Sequence, residues 1–182
     1  MSANVSAIED VNFVFENSPV RVIAVRSSPK FELVGLEVGP FEEGNEYSIK
    51  FWIARQLEKG GVVRFAEEDM LDIARLLRIQ WTERIQSVSQ VSSLPETFYP
   101  KLRYLLAELK SSSRSSMERM REYERAGWLS QDILTCRLKK IISLASASES
   151  IDQLLRNLTV EERILYEDLR RIISEWKAKI LQ

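Results

Sequence analysis

Between Val34 and Phe65 the chain changes its periodicity, and that change limits the folds open to it. Upstream, Val20 to Val25 (VRVIAV) is dominated by β-branched residues and predicts a buried strand. The turn residues Arg26 to Lys30, with Pro29 fixing φ, lead into Phe31 to Leu36 (FELVGL) as its antiparallel partner. Gly39-Pro40 then ends the sheet, because proline cannot donate to a central ladder. Glu42 to Glu46 makes a polar loop, and Ser48 is placed to cap a helix from Ile49 to Lys59. Ile49, Trp52, Ile53 and Leu57 share one face of that helix, and Gly60 closes it. Val62 to Phe65 adds a last extended piece. Residues 1 to 16 fit either a short strand or a helix.

Downstream the pattern is helical throughout. Glu67, Glu68 and Asp69 suit a first turn, where acids complement the helix dipole. Met70, Ile73, Ala74, Leu77, Trp81, Ile85 and Val88 follow as one apolar stripe about five turns long. Thr97 is expected to cap the next helix, lined by Leu102, Leu105, Leu106 and Leu109. The Ser111 to Ser116 patch reads as a break, with a polar continuation of the helix as the alternative. Ala126-Gly127 closes the following segment. Another then opens at Ser130 or Gln131, with Ile133, Leu134, Leu138, Ile141 and Ile142 on one face. Ile151, Leu154, Leu155 and Leu158 make a shorter piece. Thr159 with Glu162 forms a capping box for a last helix with Ile164, Leu165, Leu169, Ile172, Ile173 and Trp176 inward. The fold class is therefore α+β. A small β-rich domain over residues 1–65 precedes an all-α, antiparallel helical-bundle domain of about five helices over 66–182.

Composition narrows the chemistry. The 182 residues contain no histidine and one cysteine, Cys136, which excludes a Ser-His-Asp triad, a Cys-His pair and a zinc ribbon. Cys136 reads as a buried small hydrophobe in a reducing compartment. None of the six glycines builds a phosphate-binding loop. The carboxylate groups Glu42/Glu43, Glu67/Glu68/Asp69 and Glu161/Glu162 each have a structural explanation in a loop or a first helical turn. Asn157-Leu158-Thr159 matches a glycosylation sequon but is read as structural. No catalytic, cofactor-binding or metal-binding residue is expected. No apolar run is long enough for a membrane span, and the start of the chain lacks the pattern of a signal peptide. The expected location is the cytoplasm.

Charge is unevenly spread. Residues 1 to 50 carry eight acids against four bases, and residues 101 to 147 carry ten bases against five acids. A stand-alone DNA-binding module using the region 101–147 is therefore a second reading, with Arg114, Arg119, Arg121, Arg125, Lys139 and Lys140 as the contacts.

Five stretches, taken in order, resemble one family. They are Gly39-Pro40-Phe41 leading to Trp52-Ile53-Ala54-Arg55-Gln56-Leu57, Glu67 to Leu71, and Phe98-Tyr99-Pro100-Lys101-Leu102. Asp132-x4-Arg137-x-x-Lys140 and Asn157-Leu-Thr-Val-Glu161 complete the set. Together they are similar to the GINS replication complex, archaeal-type, in the class whose small β-domain precedes the helical domain. The resemblance covers residues 18 to 176, but not Ser111 to Trp128. It implies a non-catalytic subunit that forms a tetramer with a second GINS subunit type, two copies of each. That tetramer would join the MCM helicase ring to a RecJ/DHH-related partner in DNA replication, at the nucleoid or, in a eukaryote, in the nucleus. Trp81, Leu102, Leu105, Leu109 and Trp176 are the candidate subunit interface, and Phe41, Glu42 and Glu43 the candidate partner-facing loop.

Overall fold

The computed structural model describes residues 3–33, 35–87, 90–147 and 152–181. The sequence expectations for Val34, Val88 and Ile151 lie outside the described residues. The chain divides into two compact units, Asn12–Met70 and Met1–Val11 with Leu71–Gln182. Helix α1 (Ala3–Glu16) resolves the ambiguity of the N-terminus in favour of helix, and its first part belongs to the helical unit.

In the β-rich unit, β1 (Pro19–Ala24) is the central strand of three. It pairs antiparallel with β4 (Glu46–Lys50) on one side and β5 (Val63–Phe65) on the other. Its alternate residues Val20, Val22 and Ala24 point into the core. Phe31–Leu33 (β2) is not the partner of β1; it forms a separate two-stranded hairpin with β3 (Leu36–Val38). The partner of β1 comes instead from a segment expected to be loop and helix start. Tyr47 and Ile49 alternate with polar residues at period two, which suits a half-buried strand. Ser48 is thus a strand residue, not a cap, and helix α2 begins at Phe51 and runs to Lys59.

Helix α2 buries Phe51, Ile53, Ala54 and Leu57. The Phe51 ring lies 4.5 Å from Phe15 and 5.3 Å from Phe65. At its end the Val62 amide donates to the Leu57 carbonyl and the Gly61 amide to Glu58, both at 2.9 Å. This Schellman arrangement needs a left-handed residue after the cap, and Gly61 supplies it at φ +67°. The acids Glu67 to Asp69 form a 3₁₀ turn rather than the first turn of the next helix. Arg21 of β1 holds that turn with a bidentate pair to Asp69 at 2.8 and 2.9 Å and a bond to Glu68 at 3.2 Å.

The helical unit contains α3 (Ile73–Ile85), α4 (Phe98–Ser112), α5 (Met117–Ser146), α6 (Asp152–Leu155) and α7 (Val160–Ile180). Asp72 caps α3 and Ser116 caps α5, each accepting from the amide three residues on. The serine patch is a break, with Ser113 to Ser115 turning the chain between α4 and α5. Ala126-Gly127 is not one. Helix α5 passes through it for 30 residues, because a single glycine costs an isolated helix position only about 1 kcal/mol and both neighbouring turns pack. Not all neighbours are antiparallel. Gln80 meets Asp132 and Glu83 meets Lys140, so α3 and α5 run the same way. Arg137 meets Glu162 and Lys177 reaches Ser146, so α5 and α7 do too. One core cluster gathers Leu76, Phe98, Leu102, Leu109, Leu129 and Ile133; a second gathers Val91, Ile141, Leu144, Leu158 and Tyr166.

Two alanine substitutions should move stability in opposite directions. Gly61→Ala puts a Cβ at a left-handed position and should cost about 1–2 kcal/mol. Gly127→Ala, with open space around its Cβ in a helix interior, should add about 0.5–1 kcal/mol. Urea unfolding of both variants measures the difference.

Candidate subunit interface

The inward and outward faces of the helical unit are set by a group of buried charges. Arg137, with 1% of its surface exposed, uses all five of its N–H donors. Nε and Nη2 bond the two oxygens of Glu162 at 2.8 and 2.5 Å. Nη1 bonds Glu83 at 3.0 Å and the Ser92 carbonyl at 2.7 Å, and Nη2 reaches the Asn157 carbonyl at 3.2 Å. Lys140 bonds the other oxygen of Glu83 at 2.7 Å, and the Ser92 hydroxyl donates to Glu83. Glu162 also accepts from the Tyr99 hydroxyl at 2.7 Å and from the Thr159 amide at 3.1 Å, completing the capping box expected from sequence. Two acids and two bases balance, so the cluster is neutral and joins α3, α4, α5, α7 and both connecting segments.

The electrostatics follow from this packing. Burial alone would raise the pKa of Glu83. The hydrogen bonds from Lys140 and Ser92 and the charges of Arg137 and Lys140 outweigh burial and hold it below the usual carboxylate value. Burial, followed by the negative charge of Glu162, pushes the Tyr99 phenol well above its ordinary value. Tyr99 is therefore a fixed donor and not a base or nucleophile.

Because these charges point inward, part of each apolar stripe read from sequence points outward. On α3 the buried residues are Leu76, Gln80 and Glu83, while Ala74, Leu77, Trp81 and Ile85 are exposed. On α5, Arg137 and Lys140 are buried beside Ile133 and Ile141, and Leu134, Leu138 and Ile142 are exposed. On α7, Tyr166 is buried and Leu165, Ile172 and Trp176 are exposed. Each stripe therefore divides: Ile73, Ile133, Ile141, Leu169 and Ile173 pack against the two core clusters, while Leu165 and Ile172 of α7, expected inward, lie on the surface. Cys136 is only half-buried.

The sequence-derived candidates separate accordingly. Trp81 and Trp176 are 66% and 62% exposed. Leu102 and Leu109 are buried in the first core cluster and are not available as an interface; Leu105 packs against the same cluster, partly buried. Phe41 is likewise interior, its ring 4.9 Å from Tyr47, so of these three candidates only Glu42 and Glu43 are exposed. Lys140, 3% exposed, cannot meet a phosphate. Arg114, Arg119, Arg121, Arg125 and Lys139 are exposed. However, Glu118, Glu122 and Glu124 are interspersed with the three arginines that open α5, and Arg119 pairs with Glu122 at 2.9 Å. That mixture is not a basic stripe. Sequence reasoning missed Glu83 and Ser92. The available signal was the polar pair Gln80 and Glu83 at helical spacing from Leu76, overridden by the apolar stripe beside it.

The motif residues Arg137, Lys140, Asn157, Thr159 and Glu162 converge on the single buried cluster, and Asp132 holds Gln80 at 2.6 Å and Arg84 at 2.9 Å beside it. A family model described as the GINS complex protein helical bundle domain matches residues 70–181. The chain belongs to the GINS family. A second model, the PSF2 N-terminal domain, matches residues 7–64. The chain is also similar to "DNA replication complex GINS protein PSF2" of Homo sapiens and of Xenopus laevis. Each is 24% identical over 153 residues, covering 84% of this chain and 80% of the relative. This GINS chain is accordingly a non-catalytic subunit of a DNA replication complex, α+β in fold, and partners other GINS subunits. Among the described residues no helix is long and apolar enough to cross a membrane.

Removing one member of the cluster strands its partners. Arg137→Met should destabilise the chain by about 3–5 kcal/mol, read by thermal or urea unfolding, because Glu83 and Glu162 are left buried without their base. The lowered pKa of Glu83 adds a pH dependence. Its contribution is full above the ordinary value of 4.5 and is lost as pH falls below it towards the folded-state value. An unfolding series from pH 7 to pH 3 should fall off at the acid end, less steeply in Glu83→Gln.

Proposed function

We propose that this GINS subunit is a scaffold of the replicative helicase assembly, working by binding energy alone. In this proposal it forms a tetramer with a second GINS subunit type, two copies of each, through the helical unit. The tetramer links the MCM helicase to a RecJ/DHH-related partner during initiation and elongation of replication, at the nucleoid or in the nucleus. The observation that carries the reading is the exposure of Trp81 and Trp176 in apolar helical stripes, with Leu77 and Ile85 beside the first and Ile172 and Ile180 beside the second. Runs of large apolar side chains on the surface mark interaction sites, and tryptophan is among the strongest anchors of an interface. Glu42 and Glu43 are the proposed outer contacts of the β-rich unit.

Co-expression with the other GINS subunits of the source organism, followed by light scattering, tests it. The wild-type chain should elute in a complex of tetramer mass. Trp81→Ser and Trp176→Ser should leave the isolated chain folded and weaken assembly by about 2 kcal/mol or more, roughly 30-fold in affinity. A wild-type chain that stays monomeric beside its partners would overturn the proposal.

A further inference from the structure

A groove of about 340 Å³ opens over the buried cluster. Its exposed walls are aliphatic: Ile8 of α1, Leu134 and Leu138 of α5, and Leu165 of α7. Tyr99, Arg137 and Glu162 line it from below and are fully engaged with one another. Glu161 also lines it, and differs from them. Only 8% of its surface is exposed, and neither carboxylate oxygen makes a hydrogen bond. Arg103 on the rim approaches one oxygen to 3.6 Å, an ion-pair distance too long for a hydrogen bond. A carboxylate offers about four acceptor sites, and leaving a buried one unbonded costs free energy that folding alone does not recover. The position is a good one for an acid, since Glu161 stands in the first turn of α7, where the helix dipole favours negative charge.

We propose that this groove receives a helix of a partner GINS subunit that carries an arginine or lysine beside aliphatic side chains. The inference rests on the scaffold reading above and names the chemistry of one of its contacts. The aliphatic residues lie between Leu134, Leu138 and Leu165, and the basic group donates to the unbonded oxygens of Glu161. A helix fits because Leu134, Leu138 and Ile142 recur every fourth residue along α5, a ridge that packs into the groove of another helix. A base fits because Glu161 lacks donors, and charge-assisted bonds to a carboxylate are about twice as strong as neutral ones.

The test compares wild type, Glu161→Gln and Leu138→Ser in titrations with the co-purified partner subunits, at low and high salt. Leu138 is exposed and Glu161 makes no hydrogen bond, so both variants should fold with unchanged or higher Tm. Each should weaken assembly about tenfold, and Glu161→Gln should also flatten the salt dependence of assembly. Normal assembly by both variants would overturn the inference while leaving the scaffold reading standing. A lower Tm of Glu161→Gln with normal assembly would assign Glu161 a structural role and overturn it equally. A self-association of the isolated chain abolished by both substitutions would make the occupant a second copy, against the proposal. Failure of the wild-type chain to bind any partner subunit would overturn the scaffold reading and this inference together.

Discussion

The helical unit depends on one guanidinium. Arg137 can be buried only because five acceptors, from α3, α7 and two connecting segments, converge on it. Two of those acceptors are backbone carbonyls, so the group fixes the paths of the Ser92 and Asn157 segments as well as the packing of helices. Ion pairs of this kind add little net stability over an apolar core of the same shape, because desolvation offsets most of the attraction. What the cluster contributes is discrimination. Any register of α5 against α3 or α7 other than the observed one would leave buried charges without partners, at about 3–5 kcal/mol for a broken pair, a large fraction of a domain's stability.

That discrimination has a consequence for the surface. A helix has one inward face, and on α3 and α5 the buried charges occupy part of it. The aliphatic and aromatic residues displaced from it, Leu77, Trp81 and Ile85 on α3 and Leu134, Leu138 and Ile142 on α5, keep their periodicity and present it to solvent. The same sequence therefore encodes two apolar surfaces at once: a small internal one gathered around Leu76, Phe98 and Ile133, and an external one free to meet another chain. For a subunit of a multiprotein replication complex, that division of labour within each helix suits the role.

Much of the architecture was legible before the structure. The order of a β-rich and a helical region, strand β1, the closing glycines of α2, the serine break before α5 and the capping box of α7 all rest on local rules, and local rules hold where the chain satisfies its own backbone. The strand partner of β1 was not legible, because the choice between Phe31 and Tyr47 is decided by which edge is reachable, a non-local matter. The helix faces were only partly legible, for a sharper reason. Hydrophobic periodicity gives the direction of a stripe but not its sign, and it assumes that charge points outward. Glu83, Arg137 and Lys140 violate that assumption together, and no one of them does so alone. Their convergence is visible only once residues more than fifty apart in sequence share one interior site.

The last two turns of α7 link the fold to assembly. From Ser174 to Leu181 no residue is buried, and Trp176, Ile180 and Leu181 are among the most exposed apolar side chains of the chain. Apart from the bond from Lys177 to the Ser146 carbonyl, this helix end is held by its own backbone, and an isolated helix is marginal in water over so short a length. Its apolar residues gain little from helix formation unless something covers them. Covering these side chains in the proposed assembly would therefore add to the stability of the helix end. If the proposed assembly covers this segment, the apparent stability of the helix end rises with the concentration of the partners.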